Sequence, residues 1–123
     1  MALFLDLGYE TLYLSAGYSS HQHADPQWGG VDVIYVDEAT AERLFPTCTK
    51  QLLLGGRRAP VPRAEHLAAM KIQAMRNDPS RLLQDLADVQ YLSRLPGTDR
   101  EEIRGYFEAA GLAEWYEKLE TTL

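Results

Sequence analysis

VPRAEHLAAMKIQAMRNDPSRLLQDLADVQYLSRL, residues 61–95, reads as two consecutive helices, and each carries a charge where its pattern calls for an apolar residue. On the first, a 3.6-residue period puts Lys71 between Leu67 and Met75, inside the arc that also holds Met70 and Ala74. On the second, Leu82, Leu86, Val89 and Leu92 make the apolar stripe, and Asp85 projects between Val89 and Leu92. Both side chains should turn inward. A lone buried charge is very costly, so an inward cation and an inward anion on neighbouring helices imply a pair.

Toward the C-terminus, Asp78 is placed to cap the second helix, with Pro79 at its first position. After Pro96-Gly97, Thr98-Asp99-Arg100-Glu101 reads as a capping box opening a further helix, which Gly111 ends, and Leu112 to Leu119 forms the last one. Toward the N-terminus, Gln51 to Leu54, Gly55-Gly56 and Arg57 to Val61 spell a hairpin with a two-glycine turn. Asp37 caps a short helix, EATAERLF, that Pro46 stops.

Val31 to Val36 is a strand with Val31, Val33 and Tyr35 on one face and Asp32, Ile34 and Val36 on the other. Glu10 to Ala16 alternates as a second strand, while Gly17 to Gly30 is polar and reads as a loop. Met1 to Leu7 looks like the last turns of a helix closed by Gly8. The expected fold is α+β: a small mixed sheet with a β-hairpin, followed by a helical C-terminal half. It forms one domain over residues 1–123, sheet-containing through 62 and helical from 63.

A chain of 123 residues, 46% hydrophobic and 24% charged, can bury one modest core. Its apolar runs fall far short of the roughly 18 residues needed to cross a bilayer, and the short apolar start lacks the basic residues of a signal peptide. A cytoplasmic protein without a membrane partner is expected. The single cysteine, Cys48, excludes an intrachain disulfide and a thiol-rich zinc site. The net charge of −6 is unevenly spread: residues 50–81 hold seven basic and two acidic groups, whereas residues 1–49 hold one basic and seven acidic. Such a basic island suits phosphate, nucleotide or RNA, but the acidic remainder of the chain more simply supplies its partners, within the molecule or across subunits.

His21, His23 and Asp25 have the spacing of metal ligands in a strand, but a polar loop makes solvated histidines the simpler reading. Neither G-x-G-x-x-G nor G-x-x-x-x-G-K occurs. Asp32, on the exposed face of its strand, is a candidate ligand for Mg²⁺.

Four words stand in order, Leu7-Gly8-Tyr9-Glu10, Val31-Asp32-Val33-Ile34-Tyr35, Val61-Pro62-Arg63-Ala64-Glu65-His66-Leu67 with Met70-Lys71-Ile72-Gln73-Ala74, and Gln84-Asp85-Leu86-Ala87-Asp88-Val89, in a frame, residues 3–95, that spans about three quarters of the chain. This frame resembles the C-terminal part of small nucleotidyltransferases of the polymerase-β-like superfamily, including abortive-infection toxins of toxin–antitoxin type. The resemblance implies a partial nucleotidyltransferase fold, with Asp32 matching the third metal-binding carboxylate. Lys71 and Asp85 match the inward lysine and aspartate of the helix pair, either as a structural ion pair or with Lys71 reaching a phosphate.

The family's active site also needs a Gly-Ser turn and an Asp-x-Asp pair, and this sequence contains neither. Two-metal chemistry uses several carboxylates to hold its ions, so Asp32 alone does not suffice. The expectation is a truncated or degenerate nucleotidyltransferase-like domain, inactive alone and serving as a binding or assembly module. The alternatives are half of an enzyme completed by another chain, using Mg²⁺ and a nucleoside triphosphate, and an interaction module unrelated to nucleotides. A sheet without its neighbouring strands leaves an open edge and an uncovered apolar face, so a homodimer or a partner chain is expected.

Overall fold

The structure, a computed structural model, describes residues 2–123, and the side chains of all of them except residues 2 and 49–54. The chain gathers into two compact units, one ending at Glu42 and one from Arg43 to Leu123. The architecture is α+β, as the sequence predicts.

The first unit runs α1 (Ala2–Asp6), β1 (Tyr9–Leu14), β2 (Tyr18–His23), a single 3₁₀ turn at Pro26–Trp28, and β3 (Gly30–Ile34). Its strands form one sheet in the order β1-β2-β3, antiparallel throughout rather than mixed. The central strand β2 corrects the expected loop over Gly17 to Gly30. YSSHQH lacks apolar alternation because its inward positions are polar: Ser19 and His21 are the buried residues. Register pairs His21 with Thr11 on one side and Val31 on the other, and β1 bulges between Thr11 and Tyr13.

Gly8 turns α1 into β1 with φ +87°, a backbone that side-chain-bearing residues rarely adopt. A β-carbon there would also lie 2.8 Å from Nε2 of His23.

Helix α2 (Glu38–Leu44) begins at Asp37, whose carboxylate accepts from the Thr40 N–H at 2.8 Å, and ends in a 3₁₀ turn, Phe45–Thr47, containing Pro46. In the second unit β4 (Thr49–Leu54) and β5 (Arg57–Val61) form the expected antiparallel hairpin. Both turn glycines, Gly55 and Gly56, have positive φ, as the two-residue turns that match strand twist require.

Four helices follow: α3 (Ala64–Asn77), α4 (Leu82–Arg94), α5 (Arg100–Ala109) and α6 (Ala113–Glu120). Among the described residues the buried apolar core lies in these helices, with Ala68, Ile72 and Met75 from α3, Val89 from α4, Ile103 and Phe107 from α5, and Tyr116 and Leu119 from α6. Fully burying the larger of these side chains contributes about 1.5–3 kcal/mol each. Asp78 caps a 3₁₀ turn, Pro79–Arg81, that leads into α4, and accepts from the Ser80 N–H. Gly111 ends α5 with φ +73°, while the N–H groups of Leu112 and Gly111 close on the carbonyls of Phe107 and Glu108.

The capping box shifts by one residue from its expected place. Asp99, not Thr98, is the N-cap of α5 and accepts from the Glu102 N–H. The reciprocal acceptor comes from another helix: Oε1 of buried Glu65 on α3 takes the Asp99 N–H at 2.7 Å. No helix among the described residues is long and apolar enough to cross a membrane.

Candidate functional site

Asp85 is completely buried on α4 and sits between two cations. Its Oδ1 lies 3.4 Å from Nζ of Lys71, and its Oδ2 accepts from Nε of Arg81 at 3.2 Å. Lys71 in turn makes a shorter contact, 2.8 Å, with Oδ2 of Asp88. The predicted pair is therefore present, inside a cluster of two cations and two anions.

The buried arc of α3 is Glu65, Ala68, Ile72 and Met75, so Lys71 stands at its border with 35% of its side chain exposed. The sequence reading named Lys71 and Asp85 but missed Arg81 and Asp88. Their signal was the helical spacing about Asp85, four residues before and three after, which puts all three on one face.

Burial works against the charge on Lys71, but the hydrogen bond and charge of Asp88, with Asp85 behind it, outweigh that and hold its pKa above the ordinary lysine value. An unpaired charge at Asp85 would be costly in the interior, and the two cations offset part of that cost. The arrangement can lock α3 against α4. A phosphate oxygen reaching Lys71 would compete with Asp85 and Asp88 for the same ammonium.

Asp32 belongs to the other unit. It is exposed on β3, across from Ser20, and its Oδ1 accepts from the Ser20 hydroxyl at 2.8 Å and the Tyr18 hydroxyl at 3.3 Å. Oδ2 takes neither bond. Among the described residues no group of three histidine, cysteine or acidic side chains is arranged to hold a metal.

His21 and His23 lie on one face of β2 and not in a solvated loop, which corrects the sequence reading. Their nitrogens are already engaged. His21, 1% exposed, has Nδ1 3.1 Å from the Thr11 hydroxyl and Nε2 2.9 Å from the Ser19 hydroxyl, which is 2.9 Å from the Tyr35 hydroxyl. Phe4 stacks on the His21 ring at 3.9 Å. His23 has Nε2 2.9 Å from the Leu7 carbonyl, and its Nδ1 accepts from the Asp25 N–H. The Asp25 carboxylate accepts from the Gln27 N–H and so caps the following 3₁₀ turn. This Thr–His–Ser–Tyr chain, buried at Ser19 and His21 and reaching the surface at Tyr35, was not foreseen, since Gly17 to Gly30 reads as a polar loop. Cys48 is a free, partly buried thiol.

At the start of α3, Arg63 holds Glu102 of α5 through two parallel N–H···O contacts, 3.0 and 3.3 Å, beside a cleft of about 430 Å³ lined by both polar and apolar groups of the α3 and α4 ends. The Glu102 carboxylate raises the Arg63 pKa. With an acid on each side of the guanidinium, Glu65 at 3.5 Å and Glu102, the cleft offers no uncompensated cation.

Compared with protein-family models and with curated proteins, the chain matches neither.

Proposed function

We propose that the chain is a nucleotidyltransferase-like module with a truncated or degenerate catalytic apparatus, inactive alone and acting in the cytoplasm through assembly with a second copy or a partner chain. One observation carries the assembly part. Among the described residues of the first unit only Ser19 and His21 are buried, while Leu12, Tyr13, Leu14, Trp28 and Ile34 are each more than half exposed. A unit with polar groups inside and large apolar ones outside is poorly stabilised by itself and calls for a covering surface.

The nucleotidyltransferase part rests on the four-word resemblance. It is supported by Lys71, at the border of the buried arc, meeting buried Asp85 on the neighbouring helix. A second reading, an interaction module unrelated to nucleotides, is favoured by the engagement of Lys71 with two carboxylates.

The test uses the purified full chain with Mg²⁺ and each nucleoside triphosphate, together with light scattering at high micromolar concentration. No nucleotidyl transfer and a concentration-dependent rise in mass are expected. A monodisperse monomer would overturn assembly with a second copy. Transfer abolished by Asp32→Ala would replace the inactive module with the half-enzyme, and no nucleotide binding at millimolar concentration would leave the interaction module.

A further inference from the structure

The sheet of the first unit ends in two different edges. The β1 edge is interrupted by its bulge between Thr11 and Tyr13, a device that blunts strand addition. At the other side β3, GVDVI, pairs with β2 alone and keeps register over all five positions. It contains no proline. Its side chains alternate between half-buried Val31 and Val33 and exposed Asp32 and Ile34, the latter 54% exposed. Backbone groups that point away from β2 on such a strand are a template for another strand.

Charge narrows what that strand can be. Residues 1–42 carry seven carboxylates, Asp6, Glu10, Asp25, Asp32, Asp37, Glu38 and Glu42, and no lysine or arginine. A second copy of β3 pairing antiparallel about Asp32 would set that carboxylate against itself, and like charges directly opposite destabilise a strand pair. The Ser20 and Tyr18 hydroxyls both donate to Oδ1 of the Asp32 carboxylate, on the exposed face of β3. A cation across the open edge meets a fixed acceptor there.

We infer that the β3 edge is a strand-addition site for an extended segment of a partner protein, apolar opposite Val31, Val33 and Ile34 and bearing a lysine or arginine opposite Asp32. This rests on the assembly reading and names its edge and the chemistry of its partner. Main-chain hydrogen bonds supply the affinity, and the cation opposite Asp32 supplies the selectivity.

The experiment titrates the full chain with short synthetic strand peptides, apolar except for a central lysine or glutamate, and reads backbone amide shifts. Saturable binding of the lysine peptide is expected, with amides 30–34 most affected and affinity about tenfold above the glutamate peptide. Asp32→Lys should invert that preference. Backbone N-methylation along one edge of the lysine peptide should abolish binding.

Equal affinity for the two peptides, binding that survives N-methylation, or shifts centred away from β3 would each overturn the site. So would no binding by a chain that circular dichroism shows to be folded. Concentration-dependent shifts at amides 30–34 without peptide would assign the edge to a second copy instead. A chain that associates in light scattering but ignores the peptides would lose this site and keep the assembly reading.

Discussion

Asp88, more exposed than Asp85, makes the closer contact with Lys71: 2.8 Å against 3.4 Å. The two carboxylates therefore do different work. Asp85 is buried and needs its cations, whereas Asp88 competes with water for the same ammonium.

The difference is measurable by urea unfolding. Asp85→Asn removes the anion that both Lys71 and Arg81 approach in the interior, and it should cost about 2–4 kcal/mol. Asp88→Asn should cost less than about 1 kcal/mol and lose most of that in high salt. Lys71→Met leaves Arg81 on Asp85 and should fall between them. Equal losses for Asp85→Asn and Asp88→Asn would refute the division of labour.

Glu65 ties the stability of the helical unit to pH. Burial alone would raise its pKa, but the Asp99 N–H, its own N–H and Arg63 outweigh burial and hold it below the usual carboxylate value. A group depressed in the folded state stabilises above its unfolded pKa, about 4.3 for glutamate, and that stabilisation fades as pH falls through the folded value. Glu65→Gln should be less stable than the parent at pH 7, on the order of 1–2 kcal/mol. The gap should close progressively in acid. Urea midpoints measured down the pH scale check this, and a gap unchanged in strong acid would contradict it.

Gly8→Ala should disturb the first unit at a named place. The substitution puts a side chain on a left-handed backbone and a methyl group 2.8 Å from Nε2 of His23, which lies 2.9 Å from the Leu7 carbonyl. A loss on the order of 1–3 kcal/mol is expected, with His23 ring resonances shifting before any in the helical unit. Gly17→Ala is the control, since a β-carbon there meets nothing within 4 Å. A silent Gly8→Ala would show that α1 and β1 can rejoin without His23.

The helix pair was legible because two long stretches repeat apolar residues at helical spacing, a signal that survives Lys71 and Asp85 within it. The hairpin was legible from Gly55-Gly56, where two positive-φ residues are required. Strand β2 was hidden for a physical reason: its inward residues, Ser19 and His21, are satisfied by Thr11 and Tyr35 from outside the strand, so no hydrophobic period marks it. The α5 cap was misplaced by one residue because part of it comes from Glu65, 34 positions earlier. Arg81 and Asp88 could have been named from their spacing about Asp85; the two distances to Lys71 could not.

Every buried apolar side chain among the described residues lies between Ala68 and Leu119, and this makes the molecule uneven in time as well as in packing. Amide protons in α3, α4 and α5 are expected to exchange with solvent chiefly when that core opens as a whole. Those in β1 and β3 exchange through local openings of lower free energy. The sheet is thus expected to open more often than the helices, so whatever seats itself along the strands would hold the part of the chain with the lowest cost of opening.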